Sequence, residues 1–362
     1  MKHKLNTLFK IIIILILIFT TSSLAVENSN TNQNQEISLD TSDTENPHSE
    51  EDSNELNLYS ESCILVECST GRTAYEKNSE TIKYPASITK VLTAILAVEN
   101  CNMDDVVTIT REMTSKVPLS YTTAYLQPGE QVTVEQLLNV LLIPSANDAG
   151  FALAIHISGS VEEFANLMNE KAKELGCTNS NFTNPSGIQD DNHYTTAKDM
   201  SLIALKAISY PQITDIVCKT SYVLQTSGGN TRTFETTNTL IKPNESNYYE
   251  YATGLKTGYT QPAGACLIAT AEKENMKFLA VILDAPKPEN GIIYRDADCK
   301  TLFDYGFENY EEITKVEEPI VPIINDHLTN KNLISNILRI GTIILAILIL
   351  FTMIKLKGKR KK

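Results

Sequence analysis

The chain has 362 residues and a formal net charge of −13, and this charge is distributed unevenly. Residues 1–25 carry +3 and residues 331–362 carry +8, so residues 26–330 carry −24. A body this acidic excludes binding to nucleic acid, or to another polyanion, through bulk charge.

The N-terminal segment has the pattern of a secretory signal peptide. Lys2, Lys4 and Lys10 precede an unbroken apolar run over residues 11–19, and small residues lead to Ala25. Because the run is too short to span a bilayer comfortably, we expect residues 1–25 to be a signal peptide cleaved after Ala25. An uncleaved N-terminal anchor is the alternative.

The next segment is polar. Residues 26–54 are rich in Asn, Ser, Thr, Glu and Asp and nearly free of aliphatic side chains. Such a composition buries too little apolar area to order itself, so we expect a disordered, acidic and polar spacer.

Ordered elements are predicted from residue 55 onward. Apolar runs at 63–66 and 73–75 flank the turn signal Ser69-Thr70-Gly71 and predict a β-hairpin. Apolar residues recur at helical spacing after Pro85, which predicts a long helix there.

Further elements follow in the second half of the body. Capping-box patterns at Thr133 and Ser160 predict two helix starts, and Gly176 ends the second helix. Residues 196–208 also have a helical pattern. Residues 265–271 and 277–283 predict an antiparallel pair of strands, and a last helix is predicted to begin within residues 301–305.

The C-terminal end has the pattern of a membrane anchor. After a linker over residues 313–332, residues 333–356 are long and apolar enough to span a bilayer, with Arg339 extending toward the outer interface. Residues 357–362 form a basic tail that the positive-inside rule places in the cytoplasm. We therefore expect a single-pass protein of the cell membrane with its main body extracytoplasmic. An amphipathic helix lying on the membrane is disfavoured, because residues 340–354 have no polar face.

The chain has seven cysteines, an odd number that leaves at least one unpaired within an exported chain. None has the spacing of a zinc motif, so we predict no metal site. Most lie in apolar surroundings, and this favours small core side chains over a disulfide framework.

Ser87 and Lys90 are the first candidate catalytic pair. At this spacing on a helix, a hydroxyl and an amine share one face and lie within hydrogen-bonding reach. A serine hydroxyl needs an adjacent base to attack an amide, and a lysine can be that base when burial or a nearby cation lowers its pKa. By itself the S-x-x-K spacing is a weak signal, because many helices contain it by chance.

A second run, Ser145-Ala146-Asn147, follows Pro144 and is predicted to lie on a loop. A hydroxyl there can relay a proton, and the amide can hold a substrate carbonyl.

A third run, Lys256-Thr257-Gly258, lies at the entry to the strand region. A cation and a hydroxyl suit an extended substrate that ends in a carboxylate, and Gly258 lets the substrate backbone lie close to the strand.

The order S-x-x-K, S-x-N, K-T-G is the signature of the penicillin-recognising serine enzymes. The sequence resembles one branch of them closely, the low-molecular-weight D-alanyl-D-alanine carboxypeptidases (serine DD-peptidases, penicillin-binding proteins) of bacterial cell walls. The resemblance covers residues 56–310 and rests on the runs 84–90, 145–149, 182–187, 193–200, 254–260, 295–298 and 302–307. It implies an α/β (α+β) fold of the β-lactamase/DD-peptidase type over residues 55–312: a five-stranded antiparallel sheet flanked by helices, plus a helical lobe that carries Ser145.

The resemblance also implies a role for each site residue. Ser87 attacks the penultimate D-alanine carbonyl, Lys90 accepts its proton, and Ser145 with Lys256 delivers a proton to the leaving D-alanine. Asn147 orients the substrate, Thr257 and Arg295 bind the terminal carboxylate, and the N–H groups of Ser87 and Tyr259 form the oxyanion hole. Gly258 completes the substrate-binding run. The implied partners are peptidoglycan stem peptides ending in D-Ala-D-Ala, with β-lactams as covalent inhibitors, and no metal or organic cofactor is required.

Two points separate this interpretation from its alternatives. A β-lactamase usually places a glutamate for deacylation, whereas residues 181–193 offer only Asp190 and Asp191 as carboxylates. A non-catalytic wall-binding protein is disfavoured because all three motifs are intact. His193 is expected to make structural hydrogen bonds and not to act in catalysis.

Many members of the family carry a further β-rich domain of about a hundred residues, a piece that would count as a domain of its own, and we expect it to be absent here.

Overall fold

The computed structural model describes residues 56–226 and 228–311. The segments predicted as signal peptide, spacer, linker, spanning helix and basic tail (1–25, 26–54, 313–332, 333–356 and 357–362) lie outside these ranges. Within the described ranges, no helix combines the length and the hydrophobicity needed to cross a membrane.

The centre of the described part is an antiparallel sheet of five strands in the order β2-β1-β9-β8-β7. Its strands are β1 (Ser62–Glu67), β2 (Thr73–Lys77), β7 (Ala252–Thr260), β8 (Gly264–Lys273) and β9 (Met276–Ala285). The β1 strand is buried along its whole length, with Ile64 facing one apolar cluster and Leu65 the other. Both faces of the sheet are therefore covered, which is why its strands are apolar runs with little alternation.

The described part has eight α-helices: α1 (Lys90–Asn100), α2 (Arg111–Ser115), α3 (Val134–Leu142), α4 (Asn147–Ser158), α5 (Val161–Glu174), α6 (Ala197–Ala207), α7 (Pro211–Val217) and α8 (Tyr294–Glu308). The α6 and α7 helices pack on one face of the sheet and α8 on the other, whereas α1 to α5 pack mainly on other helices. The side chains of Thr133, Ser160 and Thr196 accept hydrogen bonds from backbone N–H groups at the starts of α3, α5 and α6. The helix starts expected at these residues are thus confirmed.

The two predicted strand pairings are also confirmed. The β1 and β2 strands form the N-terminal hairpin, and β8 and β9 pair in antiparallel register from Ala265–Ala285 to Lys273–Met276. The turn between β8 and β9 is tighter than predicted, because residues 272 and 273 continue the strand.

The last helix begins earlier than predicted, at Tyr294 instead of within residues 301–305. Its first turns contain Asp296 and Asp298, which a local pattern assigns to a solvated loop. Both are buried, and the Asp298 carboxylate accepts hydrogen bonds from the N–H groups of Tyr59 and Ser60 at 3.0 and 2.7 Å. Because these hydrogen-bond partners are distant in the chain, the local sequence pattern did not reveal them, and the helix start was predicted too late.

A small hairpin was not predicted. It consists of β5 (Ser221–Gln225) and β6 (Thr231–Glu235), which pair with each other. A separate two-stranded sheet joins β3 (Val106–Thr108) and β4 (Gln131–Thr133). The β5–β6 hairpin is mostly exposed, so its side chains lack an apolar pattern. The Gly228-Gly229 pair in its turn was the available signal.

All seven cysteines are free thiols. Cys63, Cys266 and Cys299 are buried in the core and Cys218 is exposed. Cys68, Cys101 and Cys177 are partly buried against the core, so the predicted core position holds fully for three of the seven.

Candidate active site

Ser87 lies on a short 3₁₀ turn, Ala86–Thr89, that leads directly into α1 at Lys90. Residues i and i+3 eclipse each other in a 3₁₀ turn, and this aligns the two side chains more closely than an α-helix does. The Lys90 Nζ atom lies 2.9 Å from the Ser87 Oγ atom. Ala86 has a φ of 47°, a left-handed conformation that costs a residue with a Cβ about 1–2 kcal/mol. Such strain just before a candidate nucleophile is typical of functional sites.

The Lys90 amine is completely buried. Besides Ser87 it contacts the Asn147 Oδ1 atom at 2.9 Å and the Ser186 carbonyl oxygen at 2.8 Å. Burial lowers the pKa of Lys90 well below its usual value, and the positive charge of Lys256 lowers that pKa further. The Asp148 carboxylate acts in the opposite direction. A neutral amine beside a serine hydroxyl can accept its proton.

Ser145 and Asn147 lie at the start of α4. Ser145 precedes this helix in a left-handed conformation with a φ of 67°, and Asn147 is its first residue. The Asn147 amide nitrogen donates to the Thr122 carbonyl oxygen at 2.8 Å, so this side chain connects Lys90 to the loop before β4. Among the described residues, the Ser145 hydroxyl makes no hydrogen bond to Lys90 or Lys256, although it lines the same cleft.

The third run lies on β7, an edge strand of the central sheet. Lys256 is buried, and its amine donates to the Thr257 carbonyl oxygen at 2.8 Å. Burial, followed by the charge of Arg295, lowers the pKa of Lys256 to about 7. The Thr257 hydroxyl lies 2.5 Å from the hydroxyl of Thr237, and Tyr259 is exposed at the mouth of the cleft.

Arg295, on α8, lies beside the same strand. Its Nη1 atom donates to the Gly258 carbonyl oxygen at 3.3 Å, and its Nε atom donates to the buried carboxylate of Asp296 at 3.2 Å. These two contacts hold the guanidinium at the wall of the cleft, where it is available to an anionic ligand.

Two glycines allow the Ser87 turn to fit into the molecule. A Cβ atom on Gly258 would lie 2.9 Å from the Ser87 backbone nitrogen, and one on Gly187 would lie 1.7 Å from the Ala86 carbonyl oxygen. We expected Gly258 to leave room for a substrate backbone. The structure shows in addition that it leaves room for the nucleophile's own turn.

The cleft bounded by these residues has a volume of about 610 Å³. Its described lining consists of Ser87, Ser120, Tyr121, Thr122, Ser145, Asn147, Gln189, Thr237, Thr257, Gly258, Tyr259, Thr260, Gln261, Pro262 and Arg295. This lining includes no Asp, Glu, His or Cys side chain, so its donor set suits a carboxylate-bearing ligand better than a transition metal.

Every residue predicted for the site lies in this cleft or in direct contact with it. Some contributors were not predicted. The Ser186 carbonyl contacts Lys90, and the Thr237 hydroxyl contacts Thr257. Asp148 accepts hydrogen bonds from the N–H groups of Ala124 and Leu126 at 2.8 and 3.0 Å and so anchors the loop that carries Thr122. Ser186 lies within one of the runs that carry the resemblance, whereas no sequence signal indicated Thr237.

His193 makes structural contacts only, as expected. Its ring nitrogens lie 2.9 Å from the Thr89 hydroxyl and 3.0 Å from the Thr183 backbone nitrogen. Burial lowers the pKa of His193 to about 4, so the ring is neutral at physiological pH. It supports the turn below Ser87 and does not line the cleft.

Comparison with known proteins agrees with this geometry. A family model described as D-alanyl-D-alanine carboxypeptidase, peptidase family S11, matches residues 48–287. The chain is 37% identical over 259 residues to D-alanyl-D-alanine carboxypeptidase DacF of Bacillus subtilis, covering 71% of this chain and 64% of that protein. It is 33% identical to the D-alanyl-D-alanine carboxypeptidase of Streptomyces sp. strain K15, covering 66% of this chain and 84% of that one. The chain thus spans less than two thirds of the Bacillus relative's length.

The solved structures agree with the sequence comparison. The crystal structure of the Streptomyces K15 DD-transpeptidase superposes with a TM-score of 0.65 at 29% identity, covering 70% of this chain and 98% of that chain. A peptidoglycan synthesis regulatory factor, PBP3 of Streptococcus pneumoniae, superposes with a TM-score of 0.64 at 28% identity over 70% of this chain and 72% of that one. The expected fold class, a five-stranded antiparallel sheet of the DD-peptidase type flanked by helices, is confirmed.

Proposed function

The chain belongs to the D-alanyl-D-alanine carboxypeptidase family of serine peptidases, and on that premise we propose that it removes the terminal D-alanine from peptidoglycan stem peptides through an acyl-enzyme on Ser87. The single observation that carries the proposal is the pairing of Ser87 with Lys90. A buried amine with a lowered pKa lies 2.9 Å from the hydroxyl. That arrangement activates a serine for acyl transfer without a histidine.

Acylation proceeds in two proton transfers. The Ser87 hydroxyl gives its proton to the neutral Lys90 amine while its oxygen attacks the carbonyl carbon of the penultimate D-alanine. The resulting oxyanion lies toward the backbone N–H groups of Ser87 and Tyr259. The proton held by Lys90 then passes through the Ser145 hydroxyl to the nitrogen of the leaving D-alanine as the peptide bond breaks. Water hydrolyses the ester and regenerates Ser87.

Recognition of the terminal carboxylate is assigned to the β7 side of the cleft. Lys256 and Arg295 supply positive charge, and the Thr257 hydroxyl supplies a hydrogen bond. The body of the protein is strongly acidic, so these two cations lie in an otherwise negative molecule. They therefore give the cleft a local preference for an anionic substrate end. Asn147 lines the cleft and is assigned to orient the peptide, since its amide nitrogen has a second N–H besides the one that it donates to Thr122.

A β-lactamase is disfavoured by the lining of the cleft. Fast hydrolysis of a penicilloyl ester usually needs a carboxylate that activates water, and the described lining contains none. Asp190 and Asp191, the candidates in that loop, are exposed and lie outside the lining. We therefore expect a long-lived penicillin adduct. A non-catalytic wall-binding protein is disfavoured by the burial of Lys90 beside Ser87, an arrangement that binding alone does not require.

Family members act on the cell wall outside the cytoplasm, and we propose that this chain does so as a single-pass membrane protein. The support comes from sequence alone: the apolar residues 333–356 followed by the basic residues 357–362. Truncation after residue 332 should release the protein from washed membranes into the soluble fraction. Retention of the truncated chain on the membrane would contradict the anchor.

The experiment that tests the activity is acylation followed by peptide mapping. The full chain is incubated with labelled penicillin, digested and analysed by mass spectrometry, and D-alanine release from a synthetic peptide ending in D-Ala-D-Ala is measured without an added amine acceptor. We expect one adduct, on Ser87, and D-alanine release that is lost in Ser87→Ala. Ser201→Ala, a change of a buried serine in α6, is the matched control. An adduct on another residue would overturn the proposal.

A further inference from the structure

A second cluster of side chains lies away from the cleft. The ligand atoms of Cys101, Asp105 and His156 all lie within 4.8 Å of one another. The first two are half-buried and the third is exposed. A thiolate, a carboxylate and an imidazole form the mixed donor set that binds Zn²⁺ and neighbouring first-row transition metals. Tetrahedral coordination places such ligand atoms about 3.5 Å apart, so the cluster needs only a small closing movement.

The backbone around two of these ligands is already held in place. The Cys101 N–H donates to the Ala97 carbonyl at 3.1 Å, closing α1. The Asp105 carbonyl accepts from the Val134 N–H at 3.0 Å. The Asn102 N–H donates to the Asp105 carboxylate at 2.8 Å, which orients it in the way that outer-shell partners orient metal ligands.

The positions of the helices independently favour a cation at this place. Cys101 caps the C-terminus of α1, and His156 lies in the last turn of α4. The negative ends of two helix dipoles therefore point toward one cluster. The N-terminal residues of the same helices are Lys90 and Asn147, which contact each other at 2.9 Å.

Although the cysteine spacing predicts no metal site, we propose that Cys101, Asp105 and His156, which the fold brings together, form a three-ligand site for a transition metal of the Zn²⁺ class, with water completing the coordination. A metal bound there ties the C-terminal end of α1 to that of α4, behind the candidate catalytic residues at their other ends. This site is separate from the cleft, and its existence does not depend on the function proposed above.

The test is metal binding by the full chain after removal of metal and reduction of thiols. Zn²⁺ affinity and stoichiometry are measured by competition with a chromophoric chelator, and Co²⁺ is used to detect thiolate ligation by its charge-transfer absorption. Cys101→Ser, Asp105→Asn and His156→Ala remove one ligand each. Cys218→Ser, which removes the exposed thiol outside the cluster, is the matched control. Circular dichroism establishes that each variant is folded.

We expect the wild type to bind one Zn²⁺ per chain. The Zn²⁺ affinity should be reduced at least about tenfold in each ligand variant and should be unchanged in Cys218→Ser. The thiolate–Co²⁺ absorption should be absent from Cys101→Ser and present in the control. Excess Zn²⁺ should raise the melting temperature of the wild type by about 5 °C and leave that of Cys101→Ser unchanged. Three results would each overturn the proposal: no stoichiometric binding, equal affinity in Cys101→Ser, or displacement of Zn²⁺ by Mg²⁺.

Discussion

The amine of Lys90 and the amide oxygen of Asn147 lie 2.9 Å apart, although 57 residues separate them in the chain. This contact joins the first residues of α1 and α4 and so connects two of the three sequence motifs. The third motif approaches from the sheet, where Gly258 lies against the backbone of Ser87. The candidate nucleophile is thus supported from both sides, by a helix pair and by an edge strand.

The Lys90→Met variant should acylate about 100- to 10,000-fold more slowly than the wild type, because it lacks the group that accepts the Ser87 proton. The rate is measured with a fluorescent penicillin by rapid mixing and gel detection. Lys171→Met, which removes another largely buried lysine far from the cleft, serves as the control and should acylate normally. A Lys90→Met rate within tenfold of the wild type would contradict the assigned base.

The acylation rate with a D-Ala-D-Ala peptide should depend on pH in two opposite ways. It rises as Lys90 loses its proton, since the base is the neutral amine, and this limb lies well below the pH at which an exposed lysine titrates, because burial and Lys256 lower the pKa of Lys90. It falls near pH 7 as Lys256 loses the charge that holds the substrate carboxylate. In Lys256→Arg the cation no longer titrates in this range, so the falling limb should move to much higher pH. The same falling limb in both proteins would remove Lys256 from carboxylate recognition.

A methyl group at Gly187 should disturb the Ser87 turn. Gly187 has a φ of 74°, and its Cβ atom would lie 1.7 Å from the Ala86 carbonyl oxygen. We expect Gly187→Ala to lower the free energy of unfolding by about 3 kcal/mol or more. Displacement of Ser87 should also slow acylation about 100-fold.

Gly159→Ala separates backbone strain from this steric clash. Gly159 has a φ of 78°, yet nothing lies within 4 Å of the position of its Cβ atom. The variant should therefore lose only about 1 kcal/mol and keep its acylation rate. Urea unfolding and penicillin labelling give both quantities. Equal effects of the two substitutions would show that the contact with Ala86 is unimportant.

His193 should make the fold sensitive to acid. Its pKa is lowered from 6.5 to about 4 by burial, so the unfolded chain binds a proton between these values that the folded chain does not. Stability is therefore greatest above pH 6.5 and decreases as the pH falls to about 4, by about 3 kcal/mol for this group. The free energy of unfolding is measured across pH 4–7 for the wild type and for His193→Gln.

The variant cannot gain this proton, so the difference in unfolding free energy between the two proteins should shrink as the pH falls. Carboxylates that titrate in the same range affect both proteins alike and cancel in that difference. A difference that does not change with pH would mean that this ring binds protons equally in the folded and unfolded chains, so that burial does not lower its pKa.

Local sequence patterns determined much of the fold. The capping residues Thr133 and Ser160 marked two helix starts, because a capping hydrogen bond involves residues only three apart. A helical pattern marked the third, at Thr196. The start of α8 was missed for the opposite reason, because it depends on distant partners such as the Tyr59 and Ser60 N–H groups that bind Asp298. The β5–β6 hairpin was missed because it is mostly exposed and its strands lack an apolar pattern.

The sequence by itself determined which residues compose the candidate site, because the residue types and their order are a property of the chain. Only the tertiary structure decided how they act on one another. The pKa of Lys90 is lowered by burial and by Lys256, and both effects require segments far apart in the chain to pack together. The same holds for the Ser186 carbonyl, which reaches Lys90 across 96 residues. Burial and Coulomb interactions depend on distance in space, and the linear pattern of residues does not contain that distance.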